Sequence, residues 1–129
     1  MLKAVPTEHI AESLMQYMLL IVEPTGQRLQ RSRSAGKGVY QRMVDFSQSL
    51  AARGVLVATN SLREDAVRLE KRNGVARVLD GPFTESKEMI GGFFLLECAT
   101  QAEAMEVARQ CPAAEWATIE VRGVGPCYE

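Results

Sequence analysis

The chain has 129 residues, 47% hydrophobic and 24% charged, with 15 basic against 16 acidic side chains and a net charge of −1. That length specifies one domain able to bury roughly two thirds of its unfolded surface, and the composition excludes a disordered chain. The charge balance gives no pull toward nucleic acid or an anionic membrane, and no apolar run approaches the roughly 18 residues of a membrane helix.

Residues 1–15 read as an extension ahead of a domain over 16–129. Thr7 can cap a short helix there with Ile10 and Leu14 on one face, and Met15 is a possible alternative start. Pro6, Glu8 and Glu12 interrupt any apolar core, so the segment is not expected to be a signal peptide. The first strand, Tyr17 to Val22, does not alternate and is apolar on both faces. Residues 23–38 are predicted as a loop carrying Arg28, Arg31, Arg33 and Lys37 among serines and glycines. One reading is a solvated, mobile loop; the other is an anion clamp, which needs the arginines to converge.

A helix is predicted from about Val39 to Arg53, because Val39, Met43, Phe46 and Leu50 recur at helical spacing and Gly54 supplies the stop. Val55 to Ala58 begins a second strand. Asn73-Gly74 then signals a two-residue type I′ turn. Counting back from it, Arg72 faces Val75, Glu70 faces Arg77, Leu69 faces Val78 and Val67 faces Asp80. Asp80 thus ends the more apolar hairpin face, and its carboxylate is expected to point toward the interior or a cleft. Gly81-Pro82 forces a sharp turn, Thr84 can cap one helical turn with Glu85 in its first position, and Gly91-Gly92 lets the backbone pass close to something else or bends the strand start. Phe93 to Leu96 is again apolar on both faces. Thr100 and Glu103 form a capping box for a helix to about Cys111, with Ala104, Val107, Ala108 and Cys111 inward. Thr118 to Val124 is the last strand.

This order is an α+β, ferredoxin-like βαββαβ framework with an extra β-hairpin. Two helices cover one sheet face, so the other apolar face calls for a second copy and a homodimer.

The chemistry-bearing residues are few. The three cysteines, Cys98, Cys111 and Cys127, form no CxxC pair and read as reduced thiols in a cytoplasmic protein. One histidine and scattered cysteines give no metal-ligand spacing, Gly36-Lys37-Gly38 lacks the spacing of a phosphate loop, and no cofactor is expected. Asp80 is the candidate catalytic acid or base; its alternative role is to bond the amides of its own turn. Lys87 is its candidate counter-ion or the holder of a substrate carboxylate, and Glu88, Phe83 and Tyr17 complete the candidate ligand-binding set.

The opening Tyr17-Met18-Leu19-Leu20-Ile21, the stretch Asp80-Gly81-Pro82-Phe83-Thr84-Glu85-Ser86-Lys87-Glu88, Gly91-Gly92-Phe93 and the ending Ile119-Glu120-Val121-Arg122 resemble the DGPF family of YCII-related proteins, within the dimeric α+β barrel superfamily. The resemblance spans about residues 16–128 and implies a homodimer whose two sheets pack into a barrel. Superfamily relatives include muconolactone isomerases, chloromuconolactone dehalogenases and haem-linked or monooxygenase-type enzymes, and some family members are associated with transcription because their genes lie beside sigma factors. The basic loop and the first fifteen residues depart from the family pattern. The histidine–aspartate pair of the other YCII branch has no counterpart here, since the single histidine, His9, lies in the extension. Two functions follow as expectations: an enzyme acting on a small apolar acid or lactone in the barrel cleft, with Asp80 moving a proton, or a non-catalytic ligand-binding or regulatory dimer associated with transcription machinery. A cleft that holds Asp80 and has room for a ligand favours the first.

Overall fold

The computed structural model describes residues 15–81, 83 and 86–128. The helix expected after Thr7, His9, and the helical turn expected at Thr84 and Glu85 lie outside the described residues. Strand β1 spans Met15–Pro24, followed by a 3-10 turn at Gln27–Gln30 and helix α1 at Arg33–Ala52. Strands β2 (Leu56–Ser61), β3 (Val67–Arg72), β4 (Val75–Asp80) and β5 (Glu88–Cys98) come next, then helix α2 (Gln101–Gln110), a 3-10 turn at Pro112–Glu115 and strand β6 (Thr118–Gly123).

The sheet order is β2-β5-β1-β6, all neighbours antiparallel, with β3 and β4 forming a separate two-stranded sheet. This is the ferredoxin-like α+β arrangement with its added hairpin. Strand alternation sorts the sheet into two faces. Tyr17, Leu19, Ile21, Phe94 and Leu96 are buried against Phe46 and Leu50 of α1 and Ala104, Val107 and Ala108 of α2. Phe46 meets Phe94 edge-to-face at 5.3 Å between ring centres, a favoured aromatic geometry. On the other face Met18, Leu20, Val22 and Leu95 are half-buried, and no helix packs on them among the described residues.

α2 forms as its capping residues dictate. The Thr100 side chain accepts from the Glu103 amide at 3.2 Å, while Glu103 reaches back to the Ala99 amide at 3.0 Å. The four inward residues, from Ala104 to Cys111, are all buried. Hairpin pairing is also as counted, with Val67 opposite Asp80 and Glu70 opposite Arg77. Both turn residues have positive φ, 53° at Asn73 and 78° at Gly74, as a type I′ turn requires.

The segment 23–38 is not a loop. β1 runs on to Pro24, and α1 starts at Arg33 rather than Val39. Ser32 is the reason for the early start: its hydroxyl accepts from the Ala35 amide at 3.1 Å and caps the helix. Gly36 and Gly38 weaken this first stretch, each by roughly 1 kcal/mol relative to alanine, without stopping it. Gly91 and Gly92 likewise lie inside β5, not ahead of it.

Candidate functional site

The residues that build the site begin at the end of β1. Glu23 continues the inward alternation of Tyr17, Leu19 and Ile21 and is 5% exposed, the buried charge among the described residues. Pro24 cannot donate to a ladder and ends the strand. Gly26, at φ 85°, then turns the chain into the 3-10 segment. That segment lays Arg28 back over Glu23, five residues earlier. The guanidinium binds the carboxylate through two bonds of 2.9 Å, Nε to Oε2 and Nη2 to Oε1. Its remaining edges donate to the carbonyls of Leu62 at 2.7 Å and Gly91 at 3.1 Å. A buried carboxylate is tolerated when its oxygens are met in this way.

Gly91 makes the close approach possible. The β1–β5 register shifts between Ile21 and Val22, pairing Ile21 with Gly92 and Val22 with Ile90, so Gly91 bulges out without a partner in β1. A Cβ at Gly91 would stand 1.8 Å from Glu23 Oε1 and 2.7 Å from Arg28 Nη2. Only glycine leaves room for the ion pair. The freed Gly91 carbonyl accepts from both Arg28 and the Leu62 amide.

Beside this ion pair, between α1 and the sheet, opens a cavity of about 380 Å³. That size lies within the roughly 300–1,000 Å³ of small-molecule sites. Its apolar lining includes Ile21, Val39, Met43, Phe94 and Trp116, and its polar lining Glu23, Arg28, Arg31, Asn60 and Ser61. Val39 and Met43 belong to the predicted core stripe of α1, but only Phe46 and Leu50 of that stripe are buried. Val39 and Met43 face the cavity. Gln27 anchors the 3-10 turn to the far side by donating to the Trp116 carbonyl at 2.9 Å. Arg42 closes a paired bond to Glu115, at 3.1 and 2.6 Å, that holds α1 to the turn before Trp116. This exposed pair keeps the Glu115 carboxyl below its usual range, chiefly through the hydrogen bond from Arg42.

The residues singled out from the sequence lie elsewhere. Asp80 does not face an interior: it is exposed at the end of β4, because the hairpin forms its own sheet instead of packing its apolar face on the core. Lys87 is exposed, and its backbone carbonyl accepts from the Thr25 amide at 2.9 Å. Glu88 is exposed opposite Pro24. Phe83 is half-buried, with the Arg68 guanidinium 3.7 Å above its ring. Tyr17 is a core residue, 7% exposed. None of these five lines the cavity. The basic residues of 28–37 do not form one mobile group either: Arg28 is docked on Glu23, whereas Arg33 and Lys37 are exposed on α1.

A family profile described as the YCII-related domain matches residues 15–127. The chain belongs to the YCII-related family. An uncharacterized protein of Rhizobium meliloti (strain 1021) is 42% identical to it over 59 residues, which cover 44% of this chain and 48% of that protein. The chain thus spans about half the length of the curated relative it matches. The inward Glu23 of this YCII-related chain escaped sequence reasoning, whereas the close approach expected at Gly91-Gly92 is found at Gly91, on a register bulge that the sequence did not announce. The strand period of two, counted from Tyr17 to Glu23, was the available signal for Glu23.

Proposed function

We propose that this YCII-related chain binds a small molecule with an apolar body and a polar head in the cavity between α1 and the sheet. The observation that carries the reading is the cavity itself: a mixed lining of apolar and polar side chains, held in shape by a buried Glu23–Arg28 pair under a glycine bulge. Rigid elements and a locked ion pair give a preformed site, which reduces the ordering needed on binding. Glu23 has both oxygens engaged by Arg28, so it serves as a fixed part of the wall. In the same reading the chain is a homodimer of the DGPF branch, with a second copy covering Met18, Leu20, Val22 and Leu95.

Trp116 is the single tryptophan of the chain and lines the cavity, so its emission reports directly on occupancy. A titration with small non-absorbing apolar acids, amides and lactones is expected to change that emission saturably. Gly36→Leu is expected to abolish the change, because Gly36 lines the cavity and open space surrounds the position of its missing Cβ. Binding that persists in Gly36→Leu would place the ligand elsewhere.

An acid–base role for Asp80 is a second reading, favoured by the hairpin. Val67, Leu69 and Val78 share a face with Asp80 and are 65%, 65% and 59% exposed. A two-stranded hairpin is marginal alone, and a second copy laid on this face would enclose Asp80. Asp80→Asn that leaves ligand turnover intact would remove this role.

A further inference from the structure

We infer that the ligand of the cavity is an anion, a small apolar carboxylate, and that Arg31 is the residue that selects it. The inference rests on the proposed use of the cavity and adds the charge of its occupant. The lining contains three charged side chains, Glu23, Arg28 and Arg31. Glu23 and Arg28 neutralise each other through two 2.9 Å bonds, and Arg28 has its other edges on two carbonyls. What is left is the single positive charge of Arg31.

Arg31 is half-buried and pairs with no carboxylate among the described residues. It is nonetheless held in place. Its Nη2 donates to Gln27 Oε1 at 3.2 Å, and its guanidinium lies 5.7 Å from the centre of the Trp116 ring. Gln27 is itself bonded to the Trp116 carbonyl. A guanidinium within cation–π range of an aromatic ring and bonded through one N–H to an amide keeps its other N–H groups available, and these suit a carboxylate. The first turn of α1, which lines the cavity through Gly36, contains no acidic residue to oppose an anion. Ile21, Val39, Met43 and Phe94 then bound the space for the apolar body.

The probes are cyclohexanecarboxylate and its neutral counterpart cyclohexanecarboxamide, measured by calorimetric titration on the full chain and on Arg31→Gln, Arg31→Lys and Gly36→Leu. The carboxylate is expected to bind wild type about tenfold or more tightly than the amide, a difference equivalent to about 1.4 kcal/mol. Arg31→Gln is expected to abolish that preference by weakening the carboxylate far more than the amide, and Arg31→Lys to keep part of it. If Arg31→Gln retains the preference, or wild type shows none while both probes bind and Gly36→Leu blocks them, the anion inference is overturned and the cavity reading stands. If neither probe binds wild type, or both bind Gly36→Leu as before, both readings fall. Unchanged melting of Arg31→Gln confirms that a loss of preference is not a loss of fold.

Discussion

Glu23 and Arg28 form a two-bond ion pair across the end of β1, seated where Gly91 has no side chain. The Glu23 side chain is 7% exposed and that of Arg28 31%. Removing one partner of a buried pair is strongly destabilising because the other charge is left uncompensated, whereas replacing both by apolar groups is often close to neutral. Glu23→Gln is therefore expected to lower stability by about 2–4 kcal/mol, the partial exposure of Arg28 reducing the full effect. Arg28→Met should cost a similar amount, and the double variant less than the two together. Denaturant unfolding of the four proteins gives the coupling. Strict additivity would show that the pair does not hold the site.

The glycines divide by what surrounds them. Gly91→Ala must displace Glu23 and should destabilise, with loss of the bulge. Gly36→Ala and Gly38→Ala place a methyl in open space within α1. Each should raise stability by roughly 0.5–1 kcal/mol through helix propensity. Opposite signs in melting temperature are expected, and a neutral Gly91→Ala would contradict the close approach.

Much of this fold was legible because its signals are local. Asn73-Gly74 sets a hairpin register by counting alone, and Thr100 with Glu103 marks a helix start within four residues. The cavity was not legible, for a physical reason. It depends on Arg28 folding back over Glu23 through a 3-10 turn, and on a bulge at residue 91 in a strand distant along the chain. No pattern in either segment announces the other. Asp80 was assigned the correct hairpin face, but that face does not pack on the core of its own chain.

The thiols should separate by burial. Cys98 and Cys111 are buried and Cys127 is exposed. Desolvation is the main cause that raises the pKa of both buried thiols. One fast and two slow thiols per chain are expected with a chromogenic disulfide at mildly alkaline pH. Because the folded pKa values are raised, these thiols favour the fold below the ordinary thiol pKa. That stability declines as pH rises from there toward the folded values. Cys111→Ala should show a shallower alkaline loss of melting temperature, and an unchanged slope would rule out this linkage.

The uncovered sheet face predicts assembly. Sedimentation should give twice the 14.2 kDa chain mass at micromolar concentration. Leu95→Glu, which places a charge beside Met18 on that face, should dissociate or unfold the protein. A monomer over the whole concentration range would reject the proposed second copy.

The cavity is tested most directly by mapping backbone amide shifts by NMR while cyclohexanecarboxylate is added to the wild-type chain. Shifts concentrated at Gly36, Asn60, Ser61, Gly91 and Gly92, together with the Trp116 indole, are expected. Shifts centred on the hairpin at Val67–Asp80 and on Lys87, or no saturable shift at all, would contradict a ligand site between α1 and the sheet.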